Sequence, residues 1–273
     1  MADPADTTVD PAEVERFSRI AEEWWNPTGK FAPLHRLNPV RIAYIRDRAA
    51  AHWQRDALSG TPLQGLSLLD LGCGGGLLSE PMKRLGAEVT GADASARNLA
   101  VAAAHAERQG LAITYRTGTA EAMAESDARF DIVLALEIVE HVADVELFLK
   151  SCGQLVKPGG LLFLSTLNRT AKAFALAIAG AEYLLGWLPR GTHDWRKFLK
   201  PAEVVNGLRR GGIDAQEIVG VVYSPLSRAW SISKRDLDVN YMLYGVSVVP
   251  SAARDLSCCL KAPRFARGDS RRC

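Results

Sequence analysis

Between residues 66 and 168, five short apolar runs alternate with stretches of helical pattern, and this alternation leaves the chain few architectures. The runs are LSLLDL (66–71), EVTGAD (88–93), LAITYRTG (111–118), FDIVLAL (130–136) and LLFLSTLN (161–168). Apolar strands joined by helices form a parallel sheet covered on both faces. Two later stretches, Ile213–Tyr223 and Val239–Val246, are expected to finish the sheet as a hairpin-like pair, giving seven strands. The predicted fold class is α/β, Rossmann-like and mostly parallel, with helices on both faces. In such sheets ligands bind at the carboxyl ends of the strands.

Helical text precedes the sheet. Val14, Phe17 and Ile20 share a face that leads to Trp24 and Trp25, and Asn26-Pro27-Thr28-Gly29 stops it. A second helix is expected from about Asn38 to His52, with Pro39 early, where a helix tolerates it. The later helices are predicted at 77–85, 95–109, 144–156, 171–188 and 201–210. The expected organisation is a disordered start (1–10), an N-terminal helical lid (11–56), the α/β domain (57–247, with an apolar insert at about 171–193) and an atypical tail (248–273).

Composition excludes several functions. A net charge of +2 in 273 residues, with no basic block before the final residues, speaks against a nucleic-acid partner. Five cysteines without a C-x-x-C pair give neither a zinc site nor a disulfide framework and suit a reducing compartment. The polar, acidic N-terminus is unlike a signal or transit peptide, and no apolar run is long enough to span a bilayer. A cytoplasmic protein is expected.

The first strand runs into Asp70-Leu71-Gly72-Cys73-Gly74-Gly75-Gly76. Glycines allow a sharp turn and close approach of a ligand to the backbone. The pattern fits dinucleotide and methyl-donor sites alike. Asp70 discriminates between them, because an acid there repels a pyrophosphate but suits a ligand carrying an ammonium group. Asp93 ends the second strand, where it can accept both ribose hydroxyls or cap the helix after Ser95.

The strand-Asp-x-Gly-x-Gly-x-Gly turn, the acid ending strand two and LVKPGG before strand five resemble the class I S-adenosylmethionine-dependent methyltransferases. PLHRLNPVR (33–41), EIVEHV (137–142), STLNR (165–169), GTHDW (191–195), F-x-KP-x-E (198–203) and DVNYM (238–242) narrow the resemblance to the bacterial ubiquinone biosynthesis O-methyltransferases, over roughly Val14 to Leu243. The resemblance implies methylation of phenolic hydroxyls of ubiquinone precursors, 2-polyprenyl-6-hydroxyphenols and 3-demethylubiquinol. It implies donor contacts at Arg41, Gly72, Gly74, Asp93 and Leu136. Arg41 can pair with the donor carboxylate, and Leu136 can pack against the adenine. Glu121 is a candidate for the adenine edge or a solvated helix residue.

Glu137, Glu140 and His141 follow the fourth strand at spacings that place them on one side of a helical turn. Two carboxylates and an imidazole can ligate Mg²⁺ or Mn²⁺, and the resemblance implies Mg²⁺. His141, with Glu137, is equally a candidate for taking the phenol proton. The bland alternative is an acidic helix start.

The insert, 171–193, reads as a core helix or as a flap contacting a membrane surface, where a polyprenyl substrate resides. The resemblance therefore also implies peripheral membrane contact and a place in a ubiquinone biosynthetic complex. Trp24, Trp25 and His35 are expected to close over the donor, and His193 to face the acceptor. Three rivals stand beside this reading: a methyltransferase for another small acceptor, a dinucleotide-binding oxidoreductase, and a non-catalytic donor-binding scaffold.

Overall fold

The computed structural model describes residues 8–175, 194–227 and 229–248. It contains one sheet of eight strands: β1 (Ser67–Leu71), β2 (Glu88–Asp93), β3 (Thr114–Thr117), β4 (Phe130–Leu136), β5 (Val156–Leu167), β6 (Ile213–Ser224), β7 (Ala229–Ser233) and β8 (Asn240–Ser247). The spatial order is β3-β2-β1-β4-β5-β8-β6-β7. The first five are parallel, and β8, β6 and β7 add on by antiparallel pairing. The expected β6–β8 pair is present, with β8 inserted between β5 and β6. The eighth strand, β7, is a correction to the expected seven. It is a half-buried edge strand, AWSIS, whose serines hide the apolar signal.

The helices are α1 (Pro11–Arg19), α2 (Ala32–His52), α3 (Ser79–Arg84), α4 (Ala96–Arg108), α5 (Ala120–Ala124), α6 (Val145–Leu155), α7 (Ala171–Ala173) and α8 (Pro201–Arg210). α1 ends at Arg19 and continues as a 3-10 turn, Ala21–Glu23, so the helix expected through Trp25 is broken. α2 starts at Ala32, earlier than expected, with Pro33 in its first turn and Pro39 inside it. Pro33 fits there because its missing N–H would find no partner in a first turn.

Side chains alternate across the sheet and divide the core in two. Val133 and Ala135 of β4 face Phe148, Leu149 and Cys152 of α6 and Val204 and Leu208 of α8. Ile132, Leu134 and Leu136 face Leu37, Tyr44, Ile45 and Ala49 of α2 and Met82 of α3. α2 therefore serves as a sheet-covering helix, and its inner face brings Arg41 to the end of β4.

The chain start also departs from expectation. Thr8 is buried, so residues 8–10 form a strap where disorder was expected. Among the described residues no helix is long and apolar enough to cross a membrane. The insert beyond residue 175, His193, and the tail from residue 249 with Cys258, Cys259 and Cys273 lie outside the described residues. Cys73 and Cys152 are buried free thiols.

Candidate active site

The strand order reverses between β1 and β4, and the carboxyl ends of β1, β2 and β4 frame the crevice where open α/β sheets take ligands. The turn after β1 enters left-handed backbone at Gly72 (φ 67°) and Gly74 (φ 53°). A Cβ at Gly72 would lie 2.4 Å from Ile138, and one at Gly74 2.4 Å from the Trp24 ring. Asp93 closes this turn. Its Oδ2 accepts from the Gly74 amide at 2.9 Å, and its Oδ1 from the Ser95 amide at 2.8 Å and Asn98 Nδ2 at 3.3 Å. Burial raises the Asp93 carboxyl from its ordinary value, and these hydrogen bonds oppose the rise. A carboxylate has about four lone-pair sites, so capacity remains for a hydroxyl. Ser95, and not Asp93, caps α4 through the Asn98 amide.

Asp70 is buried under the turn and accepts from Ser79 Oγ at 2.6 Å. Burial, helped by nearby Asp93, raises its carboxyl from 3.8 to about 7. The folded protein thus holds this proton up to about pH 7, whereas the unfolded chain releases it near pH 4. Between these values the folded state binds more protons, and stability falls as pH rises. Asp70→Asn is expected to leave stability little changed at pH 4 and to raise it by about 2–4 kcal/mol at pH 8. Urea unfolding at both pH values checks this, and a wild-type-to-variant gap independent of pH would contradict it.

At the end of β4, Leu136 is buried. Glu137 follows in left-handed backbone (φ 53°), its amide donating to Ser165 O at 3.0 Å. Its Oε1 accepts from Arg41 and from Ser165 Oγ, the latter at 2.7 Å. Arg41 is only 2% exposed, and its Nε has no partner. Burial lowers Arg41 from its ordinary value, while Glu137 and Glu140 oppose the shift. Glu140 accepts from Thr166 Oγ1 at 2.8 Å, and its other oxygen has no partner. Burial and then Glu137 raise the Glu140 carboxyl to about 8.

His141 points elsewhere. Its Nδ1 lies 3.1 Å from Glu13 Oε2 of α1, and Phe17 meets its ring edge-on at 5.3 Å. The expected convergence of Glu137, Glu140 and His141 on one metal ion is therefore corrected. Left-handed Glu137 and the 3-10 turn Val139–His141 replace the α-helical turn that would have aligned them. The three side chains are committed to Arg41 with Ser165, to Thr166 and to Glu13. Among the described residues no cluster of three such groups is placed to hold a metal, so this donor set does not fit Mg²⁺ in the arrangement seen.

The N-terminal segment crosses the carboxyl ends of β1 to β4. Glu121, after β3, accepts from the Thr8 amide at 2.7 Å and Thr8 Oγ1 at 2.8 Å, so the strap holds the carboxylate considered for the adenine edge. After β4, the Ala143 amide donates to Thr8 O at 2.8 Å. Lys197 pairs with Asp10 at 3.1 Å, and Ser18 meets Ser95 at 2.6 Å. Trp24 Nε1 donates to Asn98 at 3.0 Å, and its ring stacks on Phe31 at 3.7 Å. Trp25 Nε1 donates to Gly75 O at 2.8 Å, and its ring stacks on His105 at 3.5 Å. His35 Nε2 is hydrogen-bonded to Trp24 O at 2.8 Å. A cleft of about 330 Å³ remains between Val9, Pro11 and Val14 of the lid and Ala94, Thr117 and Gly118.

The arrangement suits a donor with a carboxylate, a ribose and an apolar base. Arg41 has an unused donor atom, Asp93 has a lone pair to spare, and the glycine turn allows close approach to its backbone, used here by Ile138 and the Trp24 ring. Thr8, Glu13, Ser165, Thr166 and Asn98 were not singled out from sequence. Ser165 and Thr166 sit in the STLNR stretch, the one signal that marked them.

A family model described as "Methyltransferase domain" matches residues 69–164. Among curated relatives, a ubiquinone biosynthesis O-methyltransferase of Chelativorans sp. is 56% identical over 243 residues, 89% of this chain and 96% of that protein. Its namesake in Sinorhizobium medicae is 56% identical over 89% of this chain and 98% of its own. Among solved structures, the magnesium protoporphyrin IX methyltransferase of Synechocystis, with SAH bound, aligns at a TM-score of 0.57 and 21% identity, covering 86% of this chain and 94% of that one. A SAM-dependent methyltransferase from Aquifex aeolicus aligns at 0.53 and 14%, covering 88% and 99%. The two structures show the fold alone.

Proposed function

This chain belongs to the ubiquinone biosynthesis O-methyltransferases, and we propose that the carboxyl edge of its sheet transfers the methyl group of S-adenosylmethionine to a phenolic oxygen of a ubiquinone precursor. It is an S-adenosylmethionine-dependent O-methyltransferase of the class I fold. The donor supplies an electrophilic methyl on a sulfonium, to be taken by a phenolate-like oxygen in line with it.

Arg41 binds the donor carboxylate, releasing some of its hold on Glu137 as it does so. Gly72 and Gly74 let the backbone approach the donor, Asp93 accepts a ribose hydroxyl, and Leu136 packs on the adenine. The observation that carries this assignment is Asp93, clamped to the Gly74 amide with one lone pair to spare. The cleft beside Ala94 adjoins it and suits the adenosine end.

On the acceptor side, His141 takes the phenol proton, while Glu137 stays with Arg41 and Ser165 and orients the donor side. Holding oxygen and methyl in line under a closed lid supplies much of the rate. The acceptor is a phenol or quinol with a polyprenyl tail, as the relatives' name suggests. A tail of that kind gives the insert at 171–193 a membrane surface to meet, with Phe174 and Trp195 exposed at its borders, and gives the enzyme reason to join a biosynthetic complex.

Calorimetric titration with S-adenosylmethionine and turnover on a short-tailed demethylubiquinol test the reading. One donor per chain and a methylated quinol are expected. Donor binding without turnover on any phenolic acceptor would favour a scaffold, and absence of donor binding would overturn the assignment.

A further inference from the structure

We infer that Glu13, carried by the lid helix α1, is the positioning carboxylate of His141, so that the acceptor-side imidazole is oriented only while the lid lies across the sheet edge. The inference rests on the reading of His141 as the group that takes the phenol proton.

Glu13 is well placed for the task. Its Oε2 lies 3.1 Å from His141 Nδ1, and both side chains are largely buried, 18% and 14% exposed. Phe17, one turn further along the same helix, meets the imidazole edge-on at 79°. One helix face thus fixes both the hydrogen bond and the plane of the ring. Glu13 is itself anchored, by Arg16 on its own helix and by Lys197 at 3.9 Å. Among the described residues, Arg16 and Lys197, both cationic, face Glu13. Burial pushes the Glu13 carboxyl up, but His141, Arg16 and Lys197 outweigh it and hold the group below its ordinary value.

An ionised carboxylate only accepts, so His141 Nδ1 must donate to it. In the neutral ring the proton then sits on Nδ1, and Nε2 is the basic nitrogen. A carboxylate that selects the tautomer and aims the ring is the usual partner of an imidazole base. Here that partner comes from the element that closes the site, through contacts at Thr8, Asp10, Ser18 and Trp25 that are independent of His141. Lid closure and completion of the base are then one event, and an open enzyme lacks an aimed base.

The test uses the full chain with Glu13→Gln, Glu13→Asp and Arg19→Gln. Arg19→Gln removes an exposed ion pair with Glu15 on the same helix and touches neither His141 nor the contacts that hold the lid. Long-range ¹⁵N spectra of histidine-labelled protein should show His141 with its proton on Nδ1, and Glu13→Gln should lose that fixed tautomer. On a short-tailed demethylubiquinol, kcat of Glu13→Gln should fall about 10–100-fold, part of the roughly 100–10,000-fold that a positioned base supplies. The acceptor KM and the Kd for S-adenosylhomocysteine should stay within about twofold, and Glu13→Asp should recover part of kcat. Arg19→Gln should keep near-normal kcat. Unchanged kcat in Glu13→Gln, a parallel loss of S-adenosylhomocysteine binding, or an equal loss in Arg19→Gln would each overturn the inference. A wild-type enzyme without turnover would refute the functional reading instead, and the tautomer spectra would still decide the Glu13 contact.

Discussion

Replacing Arg41 with methionine is expected to remove measurable donor binding and to lower the unfolding free energy by about 3–5 kcal/mol, the cost of breaking a buried pair from one side. Arg41 sits at 2% exposure against Glu137, with Glu140 close enough to act on its charge. Methionine fills similar space but leaves the two carboxylates facing each other without a cation. Glu140 already has its carboxyl raised to about 8, first by burial and then by Glu137. Adding Glu137→Gln to the Arg41→Met variant should restore much of the stability, because it removes the stranded charge. It should not restore the donor, whose carboxylate still lacks its partner. Urea unfolding and calorimetry with S-adenosylhomocysteine on the two single variants and the double variant separate these effects. Equal stability losses in single and double variants would mean that Arg41 stabilises through packing alone. Retained donor affinity would remove Arg41 from the donor site.

The parallel half of the fold was legible because its central strands, β1, β4 and β5, are buried on both faces and leave compact apolar runs between helices. FDIVLAL and LLFLSTL became β4 and β5 within a few residues. The antiparallel end was less legible, since AWSIS is an edge strand with half-exposed serines and spends little hydrophobicity on burial. The pairing of the glycine turn with the acid of β2, which the donor proposal uses, was likewise readable. Gly72, Gly74 and Asp93 are fixed by a local rule, an acid at the end of β2 set against a turn after β1, and the two meet at 2.9 Å.

The arrangement of the polar cluster after β4 was not, for two physical reasons. A left-handed residue at Glu137 followed by a 3-10 turn cannot be told from an α-helical start by spacing, so the shared face of Glu137, Glu140 and His141 dissolved. The partners those residues took instead, Ser165, Thr166 and Glu13, come from distant elements. Glu13 lies on a helix with no buried residue, which reads from sequence as a solvated face. Only the path of the lid across the strand ends turns it inward.

Asp93→Asn, which changes one atom in the side chain, should cost donor affinity about 100–10,000-fold, and the reason lies in the protein's own hydrogen bonds as much as in the ribose. Both oxygens of Asp93 accept backbone amides, Gly74 on one and Ser95 on the other. An amide side chain has only one acceptor atom, so its NH₂ must face either the Gly74 or the Ser95 N–H. Facing Gly74, it frees the glycine turn; facing Ser95, it disturbs the start of α4 and the Asn98 contact that holds Trp24. Each lost charge-assisted bond is worth about 1.5–3 kcal/mol, and two of them, one to the turn and one to the donor, give the predicted range. Stability should move much less, because losing a buried charge whose carboxyl is already raised offsets part of the loss. The expected signature is thus a donor Kd weakened far more than the unfolding midpoint, measured by calorimetry with S-adenosylhomocysteine and by urea titration of the donor-free enzyme. A variant that unfolds early in proportion to its loss of affinity would make Asp93 a structural clamp on the turn, and one that binds normally would move the ribose away from β2.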